Sequence, residues 1–186
     1  MIKLTLKENP LGASPKALAV PHQSLAKVNC YTDGQSNNLR VANARKMEVK
    51  PEQIIVSKDK DVLILETCMV FMDENSEFIV ARSSFPIYDI YSVCMRAWLV
   101  NPRMKDYNLD LEAMPNVSPL LTKLIFVCNP NNSAGSVVSS NEVNRFLESI
   151  PDQVHEIFDE TYVEYVYNAQ VPDSLSFIRA RRENIW

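Results

Sequence analysis

Four short stretches of this chain gather residue types able to do chemistry. Asp159-Glu160-Thr161-Tyr162 follows a strand candidate at 154–158. A carboxylate in that place can form a turn or hold a charged ring nitrogen. Asn129-Pro130-Asn131-Asn132-Ser133-Ala134-Gly135 follows the apolar run 123–128. Arg82-Ser83-Ser84-Phe85-Pro86-Ile87-Tyr88 follows residues 77–81. Ser57-Lys58-Asp59-Lys60-Asp61 leads from residues 53–56 into a helical stretch, and a helix N-terminus can bind phosphate. Each stretch alone is also what an ordinary polar turn looks like.

The elements that must position these residues can be read from the same sequence. Short runs at 53–56, 77–81, 97–100, 123–128 and 154–158 read as strands. Of these, 123–128 is continuously apolar, as in a strand buried on both faces. Helices are expected at 60–72, 86–96 and 140–150, the last capped by Ser140 or Asn141. Strand and helix therefore alternate from about residue 53, the signature of an α/β domain with a mainly parallel sheet and flanking helices. Ligands of such sheets sit at the carboxyl ends of the strands, where the four stretches lie. Before this domain, Glu8 to Gly12 reads as an extended arm and Ser14-Pro15 as a helix start. That helix should run toward Val28, with Pro21 ending or kinking it. A second short helix is expected over 36–47, which divides the chain into an N-terminal part at 1–48 and a larger domain at 49–186.

Taken together, in this order and spacing, the stretches resemble fold-type-I aminotransferases that use pyridoxal 5'-phosphate (PLP), and within them the histidinol-phosphate aminotransferase family. Glu8-Asn9-Pro10-Leu11-Gly12 and Phe158-Asp159-Glu160-Thr161-Tyr162-Val163-Glu164-Tyr165 favour that branch. The resemblance covers the whole chain but about the N-terminal half of a family member. It implies an incomplete PLP-transferase large domain, a homodimer, a small-molecule substrate and amino transfer between histidinol phosphate and 2-oxoglutarate. By the same resemblance, Asp159 pairs with the pyridine nitrogen of PLP, and Asn132 and Tyr162 bond the ring hydroxyl oxygen. Tyr88 stacks near the ring, and the backbone amides of Lys60 and Asp61 hold the phosphate. Glu8 and Asn9 lie near the substrate, and Tyr31 reaches a partner subunit's site.

The match also departs from the family. The lysine that bonds the cofactor covalently and shuttles protons has no counterpart within 1–186; Lys58 and Lys60 fall on the wrong side of the ring. No catalytic residue is therefore assigned, and no turnover is expected from these residues alone. The phosphate loop lacks the family's glycine and carries Asp59, and Ser133-Ala134 stands where Pro-Thr is usual. A sheet cut before its later strands leaves an unpaired edge, so marginal stability or aggregation is expected. A half of a split enzyme, a non-catalytic PLP- or phosphate-binding module, or another PLP enzyme such as an amino-acid-phosphate decarboxylase are the alternatives.

The bulk numbers agree with a soluble, cytoplasmic α/β protein. A net charge of −4, from 23 acidic and 19 basic residues, gives no reason to expect nucleic acid. The four cysteines form no CxxC pair and only His22 and His155 accompany them, so no zinc site or disulfide scaffold is expected. Cys68, Cys94 and Cys128 read as small buried hydrophobes. The N-terminal residues 1–7 lack the apolar run of a signal peptide, and the longest apolar stretch is too short to span a bilayer.

Overall fold

The computed structural model describes residues 8–114, 120–167, 171–180 and 184–186. Four strands form one sheet: β1 (Glu77–Val80), β2 (Trp98–Val100), β3 (Thr122–Cys128) and β4 (His155–Asp159), in the order β2-β1-β3-β4. All three pairings are parallel. The expected α/β class with a parallel sheet and flanking helices is thus what the chain adopts. The expected strand at 53–56 does not form. Pro51 opens a 3-10 turn over Pro51–Gln53, and the Gln53 side chain accepts the Lys50 amide. Ile55 then lies 66% exposed, so the run has no neighbour to pair with.

Among the described residues there are six α-helices: α1 (Pro15–Ser24), α2 (Asn37–Met47), α3 (Lys60–Phe71), α4 (Ile87–Met95), α5 (Ser140–Ser149) and α6 (Ser174–Arg179). Side chains alternate across β3, which gives the sheet two cores. Leu124, Phe126 and Cys128 join Ile64 and Cys68 of α3 and Tyr88 of α4 on one face. Ile125 and Val127 join Val143, Phe146 and Leu147 of α5 on the other. The connection from β1 to β2 thus runs over one face and that from β3 to β4 over the opposite face. The chain changes direction between β1 and β3, and their ends leave a crevice there.

Two compact units divide the chain, residues 1–39 and 40–186. In the first, α1 starts as expected, with Ser14 accepting the Ala17 amide. It carries Pro21 within it, ends at Ser24, and is followed by a 3-10 turn at Leu25–Lys27. Cys68 and Cys128 are buried, but Cys94 is exposed, because it falls on the outer face of α4. Residues 1–7, 115–119, 168–170 and 181–183 lie outside the described residues. No helix among the described residues is long and apolar enough to cross a membrane.

Candidate active site

The crevice is built from the ends of β1, β3 and β4. Asp159 is the last residue of β4, and the pairing of Cys128 with Asp159 sets it level with the end of β3. Its carboxylate is buried, and each oxygen has a donor. The Tyr88 hydroxyl donates to Oδ2 at 2.6 Å, and the Thr161 hydroxyl donates to Oδ1 at 2.7 Å. The Thr161 amide also donates to Oδ1, at 3.2 Å. Lys60 Nζ completes the set at 3.3 Å from Oδ2. Burial alone pushes the Asp159 carboxyl up, but the hydrogen bonds from Tyr88 and Thr161 and the charge of Lys60 outweigh it. The net is a pKa below the ordinary 3.8, so the group is a fixed anion at neutral pH.

Tyr88 is the support beneath this anion. It is fully buried, its ring 4.9 Å from Phe126 and edge-on to Phe85 at 6.1 Å. Burial, then the neighbouring Cys128 and Asp159, push its hydroxyl far up, so it stays a proton donor. The structure places Tyr88 in the core with its hydroxyl on Asp159. Its place in the first turn of α4 turns it inward, toward the core and Asp159. The aromatic residue at the crevice is Phe85, three positions earlier, with the Lys60 ammonium 3.8 Å from its ring centroid.

The loop after β3 closes the second side. The Asn129 amide donates to the Asp159 carbonyl at 3.0 Å, and the Asn129 side chain accepts the Val138 amide at 3.0 Å. The Asn131 side-chain amide reaches Ser84 in the loop after β1 at 3.1 Å. Gly135 turns with φ +74°, which other residues adopt at a cost, and its amide donates to the Asn131 carbonyl at 2.8 Å. Asn132 is buried within this loop, and its amide lies 3.4 Å from Cys128 Sγ. Tyr162 follows Asp159 by three residues, half-buried at the head of the turn Val163–Tyr165. A cleft of about 590 Å³ lies beside these loops, lined by Arg82, Ser83, Phe85 and Ser133 among others.

Lys60 and Asp61 open α3. Asp59 caps this helix, its carboxylate accepting the Val62 amide at 2.9 Å. The structure therefore brings Lys60, Asn132 and Asp159 to one set of strand ends, with Tyr88 behind them. Glu8, Asn9 and Tyr31 belong to the first compact unit, where all three are exposed and Asn9 accepts the Leu11 amide at 2.9 Å. Sequence reasoning gave no role to Phe85 and Thr161. Both stand inside the quoted stretches, and the position of Phe85 just before Pro86, at a strand end, was the available signal.

A buried anion beside a flat aromatic face fits the ring end of a protonated pyridine. The Lys60 ammonium, seated against both groups, is a stand-in showing that the place accepts a cation. The phosphate end fits less well, because the Asp59 carboxylate already stands at the start of α3.

Known proteins agree with this reading of the fold. A family model for class I and II aminotransferases matches residues 1–184. The chain belongs to the class I and II aminotransferase family. Curated relatives of this chain include histidinol-phosphate aminotransferases from Brevibacillus brevis, 35% identical over 96% of the chain, and Caldicellulosiruptor saccharolyticus, 32% identical over 96%. The chain spans 49% and 50% of these two proteins, about half the length of the relatives it matches. Among solved structures, histidinol-phosphate aminotransferase from Sinorhizobium meliloti in complex with PLP superposes with a TM-score of 0.90 at 22% identity. That match covers 97% of this chain and 49% of the other. L-threonine-O-3-phosphate decarboxylase from Porphyromonas gingivalis gives 0.76 at 19% identity, covering 92% of this chain and 50% of the other. The aminotransferase fold is thus shared with enzymes of both reaction types.

Proposed function

We propose that the chain forms the ring-binding part of a PLP-dependent aminotransferase acting between histidinol phosphate and 2-oxoglutarate. One observation carries the reading: Asp159, buried at the end of β4, is held as an anion, and the Lys60 ammonium links it to the face of Phe85. A bound PLP would supply an electron sink, which a protonated ring nitrogen makes effective. Asp159 holds the proton on that nitrogen, because its own pKa is low and its charge is fixed. Tyr88 and Thr161 keep the carboxylate oriented, each donating a hydrogen bond. Tyr88 is assigned to the place near the ring, and Phe85 offers a second aromatic face at the crevice. Asn132 and Tyr162 are assigned to the ring hydroxyl oxygen, and the first amides of α3, at Lys60 and Asp61, to the phosphate. Glu8, Asn9 and Tyr31 are assigned to substrate, with Tyr31 serving the second subunit of a homodimer.

No residue of this chain is assigned to proton transfer, and the chain spans about half the length of these relatives. The substrate assignment rests on the histidinol-phosphate aminotransferases among those relatives. The test is an amino-transfer assay on the protein isolated from its source, following glutamate formed from 2-oxoglutarate. Transfer should be faster from histidinol phosphate than from histidinol, and Asp159→Asn should lower kcat far more than it raises KM. Equal rates from the two donors would overturn the substrate assignment, and an unchanged kcat in Asp159→Asn would overturn the role of Asp159.

A further inference from the structure

The Lys60 ammonium makes the two contacts that a protonated pyridine ring would need in the same crevice. It lies 3.3 Å from Asp159 Oδ2 and 3.8 Å from the centroid of Phe85. Its side chain is only 26% exposed, and that of Asp159 only 5%. Tyr88 and Thr161 give Asp159 hydrogen bonds but no positive charge, and among the described residues the cation beside this anion is Lys60. Local structure holds it there. Asp59 caps α3 through the Val62 amide, which fixes Lys60 as the first helical residue and directs its side chain over the strand ends. An ammonium on a carboxylate and over an aromatic face is held by both charge and ring quadrupole. Two cations cannot share one carboxylate oxygen and one ring face.

We propose that Lys60 is a tethered occupant of the ring seat, competing with the cofactor's pyridine ring for Asp159 and Phe85. The inference rests on the reading of the crevice as a PLP site. Ligand binding then requires Lys60 to swing out. The apparent affinity is the intrinsic affinity reduced by the fraction of molecules with the seat open. Lys60 is in this way a specificity-determining residue: it sets a threshold that only a ring able to replace both of its contacts can pass.

The probe for the test is 4-deoxypyridoxine 5'-phosphate, a PLP analogue without the aldehyde, which cannot bond covalently to any lysine. It is titrated by calorimetry into the purified chain and into Lys60→Ser and Lys60→Arg variants. Serine suits a first helical turn, and arginine keeps the charge and the reach. Lys60→Ser should bind about tenfold more tightly, as expected if the seat is open about a tenth of the time. Lys60→Arg should stay as weak as the parent. Equal or weaker binding by Lys60→Ser, with measurable binding by the parent, would overturn the proposal and make Lys60 a bystander or a phosphate contact. Carboxyl NMR of Asp159 separates this failure from that of the cofactor reading. If no variant binds the probe but the Asp159 titration moves up in Lys60→Ser, the ion pair stands and the PLP reading falls. If neither binding nor the titration responds, the ion pair falls as well.

Discussion

Asp159 is anchored by more than its charge. Its Oδ2 accepts the Tyr88 hydroxyl at 2.6 Å deep in the core, and its Oδ1 accepts the Thr161 hydroxyl at 2.7 Å. Tyr88→Phe keeps the ring packing against Phe126 and deletes only that donor. It should destabilise the chain by about 1–3 kcal/mol, the cost of leaving a buried acceptor short of a partner. Urea unfolding checks the loss. The sign with pH is also fixed. The folded-state pKa of Asp159 is depressed, so its contribution is full above the ordinary value of 3.8 and is lost as pH falls through the lower folded value. Tyr88→Phe removes one cause of the depression, so the acid limb of its stability curve should be shallower than that of the parent. Asp159 was legible in the sequence because a carboxylate ends an apolar strand within a recognisable run. The hydrogen bond from a buried Tyr88 was not, because adjacency in a motif does not say which residues of a helix's first turn point inward. Tyr88 follows Phe85 by three positions, and the start of α4 between them turns the second toward the core and leaves the first at the crevice.

The elements were more legible than the residues they carry. β3 was clear because seven residues over Thr122–Cys128 are almost all apolar, which only a strand buried on both faces requires. The run at 53–56 misled because four apolar residues do not make a strand without an edge to join, and Pro51 favours a 3-10 turn just before them. The cap of α5 lies one residue earlier than expected. Ser139, not Ser140 or Asn141, accepts the Glu142 amide, while Glu142 reaches back to the Ser139 amide at 2.8 Å. This reciprocal pair should make Ser139→Ala cost about 1 kcal/mol, measurable as a lowered urea midpoint with an unchanged m-value. The edge of β4 offers another prediction. Ile185 bridges to Glu156 in parallel, and the Trp186 indole donates to His155 Nδ1 at 3.3 Å. Burial, with the Phe71 ring 4.1 Å away, pulls the His155 pKa below the ordinary 6.5. The neutral ring therefore supports the folded state above pH 6.5, and that support is lost as pH falls through the lower folded value. Trp186 fluorescence should report a transition with its midpoint below 6.5 that disappears in His155→Gln. A midpoint at or above that value would mean the indole bond does not persist in solution.

At the scale of the whole molecule, the sheet is well packed inside while its helices present apolar side chains outward. Phe78, Phe126, Tyr88 and Leu124 are fully buried on one face of the sheet, and Val143 and Leu147 cover the other. Yet Met69 and Val70 of α3 and Val93 of α4 are 64%, 74% and 76% exposed. Within the first compact unit, α1 has no buried residue, and Leu18, Val20 and Leu25 are all more than half exposed. Scattered exposed hydrophobic residues are ordinary, but several on successive helical turns are what interaction surfaces carry. The sequence could not show this, because an apolar residue facing a partner and one facing the core follow the same helical spacing. Kept alone in solution, the chain should therefore self-associate. Sedimentation velocity should give a weight-average mass above the 21.2 kDa of one chain, rising with concentration. Charged substitutions at Met69, Val70 and Val93 should lower that mass without altering the far-UV circular dichroism, since none of the three lies in either core. A monomer at all concentrations, unfolding cooperatively and reversibly, would mean that these surfaces are tolerated in water and that the four-stranded sheet is stable as it stands.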